Sequence, residues 1–372
     1  MRMASDSESA LRVAVACGGT GGHIFPGLAT AEALRERGHD VTLWLAGRDV
    51  ESLSVSDWEG AVQRVKASGF PSGISWASFK TAVGLCGAVW RCWRLMGQSR
   101  PQVCLAMGSY ASVGPVLAAR LRGIPVVLHE ANVVPGRAIS FLSRWAKVVA
   151  LGFREAERYF PGCETRFSGL PLRQSILKGV GEAPSAPEWF PAYDPSCFTL
   201  LVMGGSQGAH VLNTVVADAV MALIEQGVSF QVVHLSGRAD AEDVRQRYAQ
   251  SGVRGVVHGF LSDMPGAYQL ADLAVCRSGA ASCAELAVYQ VPAVFVPLPS
   301  ARRDHQTANA EASCEDGRST LMVQNELSAE AIGGVIRERV EQGQRQRAGE
   351  VSIHAEAAER LAALVEQSCI VD

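Results

Sequence analysis

The sequence predicts an α/β chain of two doubly wound, parallel-sheet domains, and three observations carry that prediction. Short apolar, β-rich runs alternate with helix-like segments, the pattern of βαβ units with helices on both faces of a sheet. The order strand, glycine-rich turn, helix occurs twice, in VAVACGGTGGHIFPG (13–27) and FTLLVMGGSQGAHVLN (198–213), half the chain apart. Between them APSAPEWFPAYDP (183–195) carries four prolines, which no regular element tolerates.

The strands of the first half are read in LRVAVA, DVTLWLA, VCLAM, PVVLHE and KVVALG. PGLATAEALRERGH (26–39) lies between the first two, with apolar residues at helical spacing and a basic last turn before Gly38. The second half supplies FTLLVM, FQVVHLSG, GVVHGF, LAVCRSG and PAVFVPL, then a helical tail from about Ser328. These readings divide the chain into an N-terminal domain (1–180), a proline-rich linker (181–195), a C-terminal domain (196–350) and a last helix (351–372).

Composition narrows the partners. The chain has 372 residues, 48% of them hydrophobic, which is enough for two cores, and its formal net charge of -3 offers no positive excess for a nucleic-acid backbone. Ten scattered cysteines without a CxxC pair behave as small hydrophobes and suit a reduced, cytoplasmic compartment. The start, MRMASDSESALR, lacks the basic and apolar regions of a signal peptide. No apolar run reaches the ~18 residues of a membrane span. TAVGLCGAVW (81–90) comes nearest and ends at Arg91.

The glycine-rich turns carry the chemistry. CGGTGGH (17–23) leaves a strand and enters a helix, so its amides and the helix terminus can meet an anion. It has neither the G-x-G-x-x-G spacing nor a P-loop ending. His23, in its mouth, is a candidate to take a proton from a hydroxyl near neutral pH, and equally a capping group. GGSQGA (204–209) is the matching turn in the second domain, where Ser206 and the amides after it can hold a pyrophosphate. CRSGAASCAEL (276–286) places Glu285 in the first two turns of a helix, where it either accepts from ribose hydroxyls or simply favours the helix dipole. PLPSARRDHQTANA (297–310) follows a strand end and offers Gln306 and Asn309 to a sugar. AMGSYASVG (106–114) and HEANVVPG (129–136) are further polar turns after strands. No D-x-D pair, metal-spaced cluster or G-x-S-x-G elbow occurs, and a diphosphate held by helix termini needs no divalent ion. One segment differs: residues 70–100 gather three of the seven tryptophans with Lys80, Arg91, Arg94 and Arg100, a composition suited to an anionic membrane surface or to a buried helix with a basic rim.

In this order, GGTGGHIFPGLA, MGSYAS, HEANVVPG, GGSQGA, CRSGAASCAEL and HQTANA resemble the signatures of the MurG family, UDP-N-acetylglucosamine (UDP-GlcNAc) transferases of cell-wall synthesis. The resemblance spans about residue 11 to beyond 310. It implies a GT-B fold, two Rossmann-like domains facing a central cleft, with the last helix crossing back to the first domain. It implies UDP-GlcNAc as donor, held by Gly205, Ser206, Gln207, Gly208, Glu285, Gln306 and Asn309, with Thr20, Gly21, Gly22, Asn132 and Arg173 reaching it from the first domain. It implies lipid I, the undecaprenyl-pyrophosphoryl-MurNAc-pentapeptide, as acceptor, bound by Gly19, Thr20, His23, Ser109 and Tyr110, with His23 as general base. The expected product is β-linked lipid II, made with inversion and without cofactor or metal, at the cytoplasmic face of the inner membrane by a peripheral protein. The chain departs from the family pattern at Ser109 (usually glycine), Ala131 (glutamine) and Leu170 (asparagine). A UDP-GlcNAc epimerase of the same fold is the alternative.

Overall fold

The structure, a computed structural model, describes residues 10–47, 55, 58–65, 76–182, 185–204, 209–344 and 352–369. Its first half runs β1 (Arg12–Ala16), α1 (Gly21–Glu36), β2 (Asp40–Leu45), β3 (Ala61–Arg64), α2 (Trp76–Ser99), β4 (Val103–Ala106), α3 (Val113–Leu121), β5 (Val126–Glu130), α4 (Arg137–Leu142), β6 (Val148–Leu151) and β7 (Thr165–Phe167). The second half runs α5 (Gln174–Leu177), β8 (Thr199–Met203), α6 (His210–Glu225), β9 (Gln231–Leu235), α7 (Ala241–Gln250), β10 (Gly255–His258), α8 (Met264–Leu270), β11 (Leu273–Cys276), α9 (Ala280–Val288), β12 (Ala293–Phe295), α10 (His305–Ser313), β13 (Thr320–Leu321), α11 (Ala329–Gln342) and α12 (Ala357–Cys369).

Two compact units result. The first comprises residues up to Arg173 together with Glu356 onward, and the second Gln174–Ala355. The proline-rich stretch lies in the second unit, held by buried Phe190, by Trp189 Nε1 donating to Asp263 at 2.8 Å and by paired bonds between the Asp194 backbone and the Gln231 amide.

The first unit is a parallel sheet in the order β3-β2-β1-β4-β5-β6-β7. The side-chain period of two sorts β1 between two cores. Val13 and Val15 pack with Leu34 of α1 and Leu361 and Val365 of α12. Ala14 and Ala16 pack with Met96 of α2 and Val116 of α3. Burying both sheet faces is why these strands read as unbroken apolar runs. The second unit is a parallel sheet in the order β10-β9-β8-β11-β12-β13, with Leu200 and Val202 packed on Val216 and Val220 of α6 and Ile332 and Ile336 of α11.

In each sheet the chain direction of strand addition reverses once, between β1 and β4 and between β8 and β11. Ligands of open parallel sheets bind beyond the strand ends at that reversal. Ala16 pairs with Ala106 there, and Met203 with Cys276. The sequences that follow those four strand ends are GGTGGH, MGSYAS, GGSQGA and Arg277–Gly279.

α1 begins at Gly21, five residues before the start expected at Pro26, and contains that proline. His23 therefore sits on the first helical turn instead of in a loop. Having no N–H, Pro26 leaves the Gly22 carbonyl without its usual helical partner. Short β3, β7 and β13 were not expected from the sequence, having no apolar run.

Candidate active site

In the first unit the turns after β1 and β4 are bonded together. Ser109 Oγ donates to the Gly18 carbonyl at 2.6 Å and accepts from Ala111 N at 3.1 Å. Gly19 adopts φ +123°, and a Cβ on it would lie 2.8 Å from Ser109 Oγ, so only glycine fits. Ser109 itself holds φ 60°, which explains why a glycine is the residue expected there, and its hydroxyl is committed to the protein backbone. Ser112 Oγ donates to the Gly108 carbonyl, closing the turn that carries Tyr110.

His23 stands where these turns meet. Thr20 occupies the N-cap position in extended backbone, but its hydroxyl lies 3.0 Å from His23 Nδ1 and does not cap the helix. The first-turn amides of Gly21 and Gly22 thus have no side-chain cap, which leaves them suited to an anion. The imidazole lies against Gly108, where an added Cβ would come 3.1 Å from Cδ2. Burial pushes its pKa down to about 4, so the ring is neutral at neutral pH. When Nδ1 carries the proton and donates to Thr20, Nε2 is the basic nitrogen. His129, at the end of β5, is likewise lowered to about 4 by burial, with Nε2 3.0 Å from the Gly169 carbonyl.

The HEAN turn is built on one carboxylate. Buried Glu130 accepts from Asn132 N at 2.9 Å, Asn132 Nδ2 at 3.1 Å and Gly136 N at 2.9 Å. Asn132 is thereby held in place, and Ala131 is buried beside it. Arg173 stacks its guanidinium 4.3 Å over the ring of Phe25, which also packs on Gly21, so Arg173 joins the α1 terminus. Leu170 is fully packed into the unit.

In the second unit, Gly205, Ser206, Gln207 and Gly208 lie outside the described residues. The helix after them is anchored from below. Asn213 Nδ2 donates to Ser236 O and to Asp240, each at 2.7 Å, and Asp240 meets His210 Nδ1 at 3.1 Å. Asn213 Oδ1 lies 3.1 Å from Nε2 of buried His234, whose Nδ1 is 2.9 Å from Tyr248 Oη. Across the sheet reversal, half-buried Glu285 accepts from Tyr268 Oη at 2.5 Å.

Ser278 gathers the residues expected at the sugar. Its Oγ donates to the Gln306 carbonyl at 2.8 Å, while Gln306 Oε1 accepts from Leu298 N at 3.0 Å. Asn309, expected at the sugar, is 0% exposed, with its amide donating to the Ser278 carbonyl at 3.2 Å. It lies three residues beyond Gln306 on α10, and both residues bond to Ser278. Arg277 is buried too, donating to the carbonyls of Val296 and Pro297 and to Gln324.

Two family models match the chain. The glycosyltransferase family 28 N-terminal domain matches residues 13–151 and its C-terminal domain residues 199–365. A UDP-N-acetylglucosamine--N-acetylmuramyl-(pentapeptide) pyrophosphoryl-undecaprenol N-acetylglucosamine transferase of Halorhodospira halophila is 40% identical, over 95% of this chain and 98% of its own. The like-named protein of Geobacter metallireducens is 34% identical, over 97% of each chain. The chain belongs to the MurG branch of glycosyltransferase family 28. A crystal structure of Acinetobacter baumannii MurG superposes with a TM-score of 0.74 at 28% identity, covering 96% of this chain and 99% of that one. A UDP-GlcNAc 2-epimerase from Neisseria meningitidis, at 13% identity and a TM-score of 0.62, shares the fold alone. Family 28 membership and the two Rossmann-type sheets make this a GT-B chain.

Glu130, Ser278, Tyr268 and Arg277 are site-shaping residues of this MurG-branch chain that its sequence did not single out. Each acts through a partner in another element. Only their positions beside motif residues, Glu130 before Asn132 and Ser278 within SGA, could have signalled them.

Proposed function

We propose that the chain transfers GlcNAc from UDP-GlcNAc to the C4 hydroxyl of MurNAc in lipid I, forming lipid II. What carries the reading is the seat of His23: a neutral imidazole between two glycine-rich turns at a sheet reversal, in a chain matched end to end by relatives of that name. In this reading the amides of the first α1 turn and the MGSYAS turn cradle the acceptor pyrophosphate, with Gly19, Thr20, Ser109 and Tyr110 shaping the cradle. His23 Nε2 takes the C4 hydroxyl proton as the oxygen bonds to the anomeric carbon of GlcNAc. The bond from that carbon to the UDP oxygen breaks, and configuration inverts. The residues 204–209 and the terminus of α6 meet the departing diphosphate, preorganised charge stabilisation being the largest contribution in such chemistry. Glu285 accepts from the ribose hydroxyls, Gln306 faces the sugar, and Asn132 and Arg173 are further donor contacts.

The same reading places the chain at the cytoplasmic face of the membrane as a peripheral protein. Among the described residues no helix is long and apolar enough to cross a membrane. α2 instead turns one face inward, with Cys92 and Met96 buried, and the other outward, with Trp90 60% and Trp93 41% exposed beside exposed Arg91 and Arg94. Arg122 stacks 4.2 Å over Trp93, and neighbouring Leu121 is 69% exposed. Aromatic rings interleaved with cations suit the headgroup layer of an anionic bilayer.

The decisive experiment is transfer of labelled GlcNAc from UDP-GlcNAc to a short-chain lipid I analogue, with EDTA present and His23→Ala alongside. A β-linked product from the wild type alone supports the reading. Interconversion of UDP-GlcNAc without acceptor would favour the epimerase instead.

A further inference from the structure

Unit two contains a phenol that touches both sides of its sheet reversal. Tyr268, on α8, is 1% exposed. Its Oη donates to Glu285 Oε2 at 2.5 Å and lies 3.9 Å from Met203 Sδ. Met203 closes β8 and is followed directly by the 204–209 turn, while Glu285 stands in the second turn of α9. The ring is fixed in turn: Tyr289 lies 5.3 Å away, its own hydroxyl donating to the Ile176 carbonyl at 2.6 Å.

A half-buried glutamate has two free torsions beyond its Cβ, and a carboxylate that must accept from two vicinal hydroxyls needs one orientation. A buried donor on one oxygen removes that freedom before the ligand arrives, so less ordering is left to binding. We propose that Tyr268 is a positioning residue for the nucleotide, its phenol holding the Glu285 carboxylate in the orientation that accepts from ribose hydroxyls. This rests on reading Glu285 as the ribose carboxylate. Burial and the neighbouring carboxylate keep the phenol protonated, so it remains a donor throughout the neutral range. Tyr268 does not touch the reacting atoms.

The test compares UDP with 2′-deoxy-UDP by calorimetric titration on the full chain. Wild type should prefer UDP. Tyr268→Phe removes one oxygen and keeps the ring; it should weaken UDP by about tenfold while weakening 2′-deoxy-UDP by much less, so that the preference narrows. A purely structural phenol would weaken both nucleotides together and leave their ratio unchanged, which overturns the proposal. Glu285→Ala is the reference. If it abolishes the preference and Tyr268→Phe does not, Tyr268 has no positioning role and the ribose reading stands. If it leaves the preference intact, the ribose reading fails and the proposal with it. Should Tyr268→Phe not fold, replacement of Tyr268 by 3-fluorotyrosine keeps the ring and alters the strength of the bond to Glu285; a changed ratio of UDP to 2′-deoxy-UDP affinity supports the contact and an unchanged one overturns the proposal.

Discussion

Ser109 Oγ and the Gly18 carbonyl, 91 residues apart in the chain, are joined at 2.6 Å, and this bond fastens the β4 turn to the β1 turn. Removing the hydroxyl in Ser109→Ala should cost about 1 kcal/mol of stability, the usual net value of one such bond. Gly19→Ala should cost more, because it adds a close contact with Ser109 Oγ to a backbone angle that side chains avoid. Equal melting temperatures for the two variants would contradict this ordering.

His23→Ala should lower turnover by about 10²-fold or more and spare UDP-GlcNAc affinity, given ordinary general-base contributions. Because burial lowers the ring's pKa to about 4, the acid limb of kcat/KM should lie near that value and well below an ordinary histidine's. An acid limb centred near pH 6.5 would contradict the lowered pKa of this imidazole.

Two further histidines tie stability to pH. His129 and His234 are buried, with pKa values lowered to about 4 and about 3. Below their unfolded value of 6.5 the unfolded chain takes up protons that the folded one refuses. Stability present above pH 6.5 is therefore lost as pH falls toward 4 and 3, at about 1.4 kcal/mol per pH unit for each histidine. Denaturant melts from pH 7 to 4.5 should show this slope, and a folded His129→Gln variant should show a shallower one. Stability that stays flat across the interval would contradict the burial of both rings.

Replacing Trp90 and Trp93 with serine should release the protein from anionic vesicles. Both rings are largely exposed, so melting should change by no more than the small amount typical of surface positions. Retained vesicle binding would move the membrane surface elsewhere.

Glu130 carries three hydrogen bonds from the loop that presents Asn132. Glu130→Ala strands those donors and should cost about 2 to 4 kcal/mol, with a raised KM for UDP-GlcNAc if Asn132 is a donor contact. An unaltered KM in a folded variant would separate the loop from donor binding.

The fold was legible wherever strands are buried on both faces, since VAVA, VVLH and LLVM have nowhere to go but a parallel sheet. AVQR, TRF and TL escaped notice because they are short and less than fully buried, and they pair at or next to sheet edges. The start of α1 was hidden by Pro26, which ordinarily marks a first turn. Around the strand ends, His23, Glu285 and Gln306 could be picked out as candidates from their places in the sequence. The burial of Asn309 against the Ser278 carbonyl was not legible, because a motif records residue order and not burial. Glu130 and Tyr268 were invisible for a different reason: their meaning lies in a partner that only tertiary structure supplies.

α12 fills the core of the first unit from the far side of the sequence. Leu361 and Val365 pack with Val15 and Leu105, Arg37 pairs with Glu359 and Glu366, and His39 Nε2 lies 2.8 Å from Glu366. On the ribosome, then, residues 12–167 emerge with one face of their sheet covered by α1 alone, and the whole second unit must be translated before the helix that completes it appears. The first unit to be made is the last to close, and a nascent chain stalled anywhere in the second unit presents a half-covered apolar face to the chaperones that meet it.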